Sequence, residues 1–267
     1  MVKRMARQMK IRIALPLPLI LLIALFSVLF AWGETANLQP TNTLGDAMLN
    51  SFGGCVWSEE IDVHEIIAWM MVFIPSGLAA CVALSQNVSF LQTMTGYRYR
   101  RPLRWYTAIM RRVLLTTLLT AVVQVACVLL FAVCTGHTGW TVWIEDADGF
   151  TVQTMVQPCL APVLFMLYDA LIVLIAAVAF FITRKMTWYY GAFLLPSLLG
   201  AFTCSNIDKT SLYNPIHFGM ARRLSVEGST GVMPAVAIGG MAVCLLMVYL
   251  IGLVFCRLTS PFDRINE

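Results

Sequence analysis

Six stretches of 17 to 24 residues in this chain are apolar from end to end, and the only charge inside any of them is Asp169. They run over residues 14–32, 66–84, 113–135, 159–182, 188–204 and 234–256. A bilayer core takes about 20 residues of helix at about 1.5 Å rise each. Backbone polar groups in lipid must be satisfied within the segment, so runs of this length predict helices and not strands. The expected fold class is therefore an all-α membrane protein, one polytopic domain over residues 1–267 with six transmembrane helices. The fifth stretch is the weakest, at 17 residues interrupted by Gly191, Pro196 and Gly200, and reads as short, kinked or partly re-entrant. Only 12% of residues are charged, against about 25% in an average soluble domain, which excludes a water-soluble enzyme and a disordered chain alike.

Lysine and arginine set the orientation. The N-terminal arm carries Lys3, Arg4, Arg7, Lys10 and Arg12, and the connection after the second stretch carries Arg98, Arg100, Arg101, Arg104, Arg111 and Arg112. Arg184 and Lys185 follow the fourth stretch, and Arg257 and Arg264 follow the sixth. These alternate connections hold 15 of the 18 basic residues, leaving Lys209, Arg222 and Arg223 to the other set. The positive-inside rule then predicts both termini on the cytoplasmic face of the membrane. The first stretch is longer than a signal-peptide core of about 7–15 residues and predicts an uncleaved signal-anchor.

Residues 87–112 form the one substantial cytoplasmic connection, expected as a loop with a turn at Gly96. Pro102 suits the first position of a helix. Leu103, Tyr106, Ile109 and Met110 then recur at helical spacing among arginines, which predicts a basic amphipathic helix able to lie at the membrane surface. Tyr97, Arg98, Arg100, Arg101, Arg104 and Trp105 are the candidate docking residues for a soluble partner, because charge anchoring alone does not require the aromatics.

The run TGYRYRRPLRWYTAIMRR, Thr95 to Arg112, lies between the second and third of six spans. In that position it resembles the coupling segment of ABC type 2 exporter permeases, and more narrowly of bacteriocin and lantibiotic export or immunity permeases. The segment from Asn214 to Met220, NPIHFGM, resembles the family's outer loop toward the last span, which dips back into the membrane. The N-terminal arm departs from the family in being short for its amphipathic entry helix. The resemblance implies a multi-pass permease of a bacterial cell membrane, without ATPase activity of its own. Its expected partners are a separate ATPase subunit, a second permease subunit, the bilayer and an amphiphilic peptide substrate, with no nucleic acid.

Other residues carry weaker signals. Asp169 sits near the middle of the fourth stretch, where such a charge costs roughly 2.5–3.5 kcal/mol on insertion scales and faces the bundle interior. Gln124 is its nearest expected partner, with Thr120 and Tyr168 as alternatives. The pair reads either as a structural hydrogen bond or as part of a substrate or proton path. His64, His137 and His217 all fall in outer connections and read as solvated, although Glu60 and His64 have the spacing of a cation pair on a helix. Trp140, Trp143 and Phe150 read as interfacial aromatics. Cys81, Cys127, Cys244 and Cys256 read as packing residues, and a bridge between Cys134 and Cys159 is one of several conceivable pairings among the outer cysteines. Small residues at Ser76, Gly77 and Ala80, and at Ala235 and Gly239, allow close helix approach within or between subunits. No P-loop, H-E-x-x-H or G-x-S-x-G pattern occurs, so no cofactor or catalytic residue is expected on this chain. Two further classes fit the composition: a membrane scaffold or sensor, and a secondary transporter or channel built on Asp169.

Overall fold

The computed structural model describes residues 16–36, 38–39, 41–55, 63–98, 102–145, 151–183, 185–202, 216–225 and 231–258. Side chains at 63–65, 87–98, 102, 104, 105, 145, 151, 197 and 199–202 fall outside that description. The described elements are α1 (Leu17–Ala36), α2 (Leu44–Phe52), α3 (Val63–Arg98), α4 (Pro102–Cys134), β1 (Val142–Glu145), β2 (Thr151–Thr154), α5 (Val156–Thr183), α6 (Met186–Phe202) and α7 (Pro234–Leu258). Two 3-10 turns, His217–Gly219 and Ala221–Arg223, precede α7.

Among the described residues, five helices are long and apolar enough to cross a bilayer: α1, α4, α5, α7 and the 66–86 part of α3. The chain is a multi-pass helical membrane protein. The fifth stretch forms α6, a helix of 17 residues. The all-helical expectation misses one detail, an antiparallel hairpin pairing Val142 with Thr154 and Glu145 with Thr151. It places Trp140 half-buried and Trp143 exposed, while Phe150 lies outside the described residues.

α5 is the hub. It packs against α2, α3, α4, α6, α7 and both 3-10 turns, and 67% of its apolar window is buried, against 17% for α1 and 11% for α7. Leucines on α1 and α7 therefore face outward, as lipid-facing side chains do. Burial from water cannot drive helix association inside a bilayer, so close packing must. Here it takes the form of rings seated on glycines. A Cβ at Gly77 would strike the Phe193 ring, one at Gly252 the Tyr106 hydroxyl, and one at Gly240 the Phe218 ring. The small face at Ser76, Gly77 and Ala80 is thus intramolecular, whereas Ala235 and Gly239 are exposed.

The connection 87–112 is not a loop. α3 runs unbroken through Gly96 to Arg98, and α4 begins at Pro102, so only residues 99–101 separate two long helices. A single glycine costs a helix only about 1 kcal/mol, whereas Pro102 disfavours helical geometry at the residue before it and so forces the break. The helix expected from Pro102 does form, as the start of α4 and continuous with the third apolar stretch, but it does not lie at the surface. Tyr106, Ile109 and Met110 are fully buried in the bundle, where the Tyr106 hydroxyl donates to the Tyr249 carbonyl at 3.1 Å.

The opposite end carries α2, the hairpin and the 3-10 turns. α2 starts on a capping box: Thr43 Oγ1 accepts from the Asp46 amide at 3.2 Å and Asp46 accepts from the Thr43 amide at 2.7 Å. Reciprocal caps of this kind let a short helix begin cleanly. Leu44, Ala47, Met48, Ser51 and Phe52 form its buried face, which seats α2 across α4 and α5 with Phe52 at 4.7 Å from the Phe165 ring.

Candidate functional site

Pro75 lies within α3 and has no amide to continue the helical ladder. Polar groups from three other helices converge on the turns around it. From α4, Gln124 Nε2 donates to the Val72 carbonyl at 2.8 Å. From α6, the Tyr189 hydroxyl donates to the Gly77 carbonyl at 2.9 Å. From α5, Asp169 Oδ1 stands 2.5 Å from Ser76 Oγ, which itself lies 2.8 Å from the Phe73 carbonyl oxygen. All four side chains are buried, and Asp169 sits at the midpoint of α5.

Ser76 Oγ donates to Asp169 Oδ1 and also lies within hydrogen-bond distance of the Phe73 carbonyl of its own helix, so it ties α5 to the turn that carries Pro75. Asp169 Oδ2 has no hydrogen-bond partner among the described residues.

The expected pairing of Asp169 with Gln124 is therefore corrected. The Gln124 amide nitrogen is committed to Val72, and its Oε1 bonds to nothing. Thr120 donates to Thr116 and Tyr168 to Pro196, so neither alternative serves Asp169. Ser76 was legible only as a small residue, and Pro75 carried a signal that went unused: a proline inside a span frees a carbonyl that neighbours must satisfy.

Of the docking candidates, Tyr97 and Arg98 form the last turn of α3, and Arg104 and Trp105 lie in the first turn of α4. Arg100 and Arg101 lie outside the described residues, as does everything about the six side chains beyond this placement.

The histidines depart from expectation. His137 and His217 are 7% and 0% exposed, not solvated. His137 Nδ1 stands 2.9 Å from the Asn42 carbonyl. The Arg223 guanidinium donates to His217 Nδ1 and, at 3.2 Å, to the Cys55 carbonyl, and is itself buried. Burial first, then the Arg223 charge, pushes the His217 imidazole down to about 4. Its proton therefore sits on Nε2, with Nδ1 accepting. This cluster locks the 3-10 turns under α2, helped by Gln157 of α5 donating to the Leu224 carbonyl at 2.8 Å. Of the Glu60–His64 pair, Glu60 and the His64 side chain lie outside the description, and His64 is placed only as a position in the first turn of α3. Cys134 and Cys159 are both free and exposed, so the bridge between them does not form. No family model, curated protein or solved structure matches the chain.

Proposed function

We propose that the chain is the membrane-spanning permease subunit of an ATP-driven ABC exporter of type 2 architecture. It would work as one of two permeases above separate ATPase subunits and move an amphiphilic peptide. The observation that carries the reading is the length of α3. Its 36 residues span about 54 Å, against about 30 Å of hydrocarbon. Its apolar window ends at Gln86, so in this reading Asn87 to Arg98 continue past the bilayer into the cytosol, where an ATPase grips the arginine-rich residues between and beside α3 and α4: Arg98, Arg100, Arg101, Arg104 and Trp105. A continuous helix transmits axial force, and Pro75, braced from α4, α5 and α6, is where such a lever would pivot. The buried Asp169, hydrogen-bonded by Ser76, serves that brace better than a proton path.

Affinity purification in mild detergent tests the reading. A P-loop ATPase should accompany the wild type under nucleotide-trapping conditions, and reversal of Arg100 and Arg101 to Glu should release it without changing the unfolding temperature. Recovery without any such ATPase overturns the reading, as does labelling of a cysteine at position 100 from outside intact cells.

A further inference from the structure

Most of α7 faces outward, yet both of its ends are pinned. Its main neighbours are α5, α4 and the first 3-10 turn. Its fully buried residues come in two pairs, Ala237 and Met241 toward one end, Gly252 and Cys256 toward the other. Val243, Leu246, Met247 and Leu250, which lie between the pairs, are exposed.

Each end is seated by an aromatic ring in a glycine notch. Tyr106, the fifth residue of α4, fills the space that a Cβ on Gly252 would occupy, together with Val178 of α5. Its hydroxyl donates to the Tyr249 carbonyl at 3.1 Å, and its ring meets Phe181 edge-on at 5.6 Å. At the other end, Phe218 of the first 3-10 turn fills the notch at Gly240. Residues 216–225 form a strap that is locked in turn to α2 and α5. The Arg222 amide donates to the Gly53 carbonyl at 3.0 Å, Arg223 Nε to the Cys55 carbonyl at 3.2 Å, and Gln157 Nε2 to the Leu224 carbonyl at 2.8 Å. α7 thus joins the first turns of α4, beside the arginine-rich turn, to the strap over α2.

The two notches are 12 residues apart, about 18 Å along a helix. Sharp bends in helices arise at proline, at glycine or where a group is inserted. Met241 to Ile251 contains neither proline nor glycine, so this length moves as one piece. α5 is packed from several sides and has no such freedom. A lipid-facing helix that slides a little exchanges one set of tail contacts for another and brings no apolar surface into water. A ring seated in a notch must carry the helix with it or leave the notch, because packed interfaces shift between discrete arrangements.

We propose that α7 is a transmission rod. Displacement of the first turns of α4 passes through Tyr106 and Gly252 to Gly240 and Phe218, and so to the strap. Coupling between two sites is reciprocal, so the state of the strap also biases residues 102–112. The proposal concerns this chain alone and stands apart from the ATPase reading.

Hydrogen–deuterium exchange of the purified full-length protein in lipid nanodiscs, read by mass spectrometry, tests it. Strap amides at Met220, Arg222, Leu224 and Ser225 are hydrogen-bonded and therefore report on opening. Tyr106→Leu empties the notch at Gly252 and should speed exchange of 216–225 by about fivefold or more, the low end of ordinary coupling between sites. Tyr106→Phe, a milder change that removes only the hydroxyl, should act in the same direction by a smaller factor. Phe218→Leu should speed exchange of 102–112, and residues 66–86 of α3, outside both joints, should keep their wild-type rate in every variant. The combined variant Tyr106→Leu/Phe218→Leu should open the strap no further than Phe218→Leu alone, since an emptied notch passes nothing on. Three results overturn the rod: effects confined to the end that carries the substitution, equal speeding of 66–86, and multiplication of the two effects in the combined variant.

Discussion

Removing the Ser76 hydroxyl tests the bracing of Pro75 directly. In Ser76→Ala, Asp169 Oδ1 loses its contact at 2.5 Å and joins Oδ2 as a buried oxygen with nothing to bond. Hydrogen bonds between membrane helices are worth about 0.6 kcal/mol on average and up to about 1.7, while orphaning a buried group costs about 1–3 kcal/mol. The expected loss is therefore about 1–2 kcal/mol. Asp169→Asn keeps an acceptor for the Ser76 hydroxyl and should change stability by less than about 0.5 kcal/mol, as one hydrogen bond replaces another. The double variant Ser76→Ala/Asp169→Leu removes both partners for apolar groups and should recover most of the single loss. Unfolding free energies come from SDS titration of the protein in lipid–detergent mixed micelles, followed by circular dichroism. Two results refute the reasoning. Ser76→Ala at wild-type stability would mean that the contact contributes nothing. A gain of several kcal/mol in Asp169→Asn would mean that the wild-type carboxyl is a buried anion, since removing an uncompensated charge is the change that yields so much.

Acid should loosen the end that carries His217. The imidazole is held down at about 4 in the folded protein against an ordinary 6.5, so the unfolded chain binds the extra proton between those values. Stability should fall as pH drops from about 6.5 toward 4 and be flat above that window; thermal unfolding at stepped pH reads it, and His217→Asn, which keeps an acceptor for Arg223, should flatten the slope. Gly77→Leu forces side-chain atoms into the Phe193 ring and should cost about 1–3 kcal/mol as overpacking, with Phe193→Ala restoring part of it in the same micelle assay. Pro75→Ala restores an amide to α3; in reconstituted vesicles with the ATPase bound, it should leave the complex intact and slow ATP-driven peptide movement, and unchanged transport would remove the pivot from the mechanism.

The five long apolar helices were legible because lipid imposes a length and a composition that survive any detail of packing. Ends shifted by a few residues at α1, α5, α6 and α7. The error at 87–112 was larger, because polarity was read as a loop although nothing before Pro102 could stop the helix. α2 was written in Thr43 to Asp46 as a capping box, but lies outside the apolar stretches that organised the reading. The partner of Asp169 was not legible at all. Helical position places Gln124 and Ser76 equally well at mid-depth, and only the rotation of α3 and α4 about their axes decides between them. The burial of Arg223 was hidden for the same kind of reason. It depends on Cys55, His217 and Arg223 meeting across more than 160 residues of chain.

The hub position of α5 has a consequence for biogenesis. A ribosome delivers α1, α3 and α4 to the membrane before α5, and these three already have each other to pack on, with α4 the common partner of α1 and α3. Until residue 183 has been released, however, Ser76 lacks its carboxyl, Tyr189 has not arrived for Gly77, and α2 has no Phe165 to settle against. The half-made protein is therefore an early assembly of helices whose polar groups around Pro75 are completed only when α5 and α6 join.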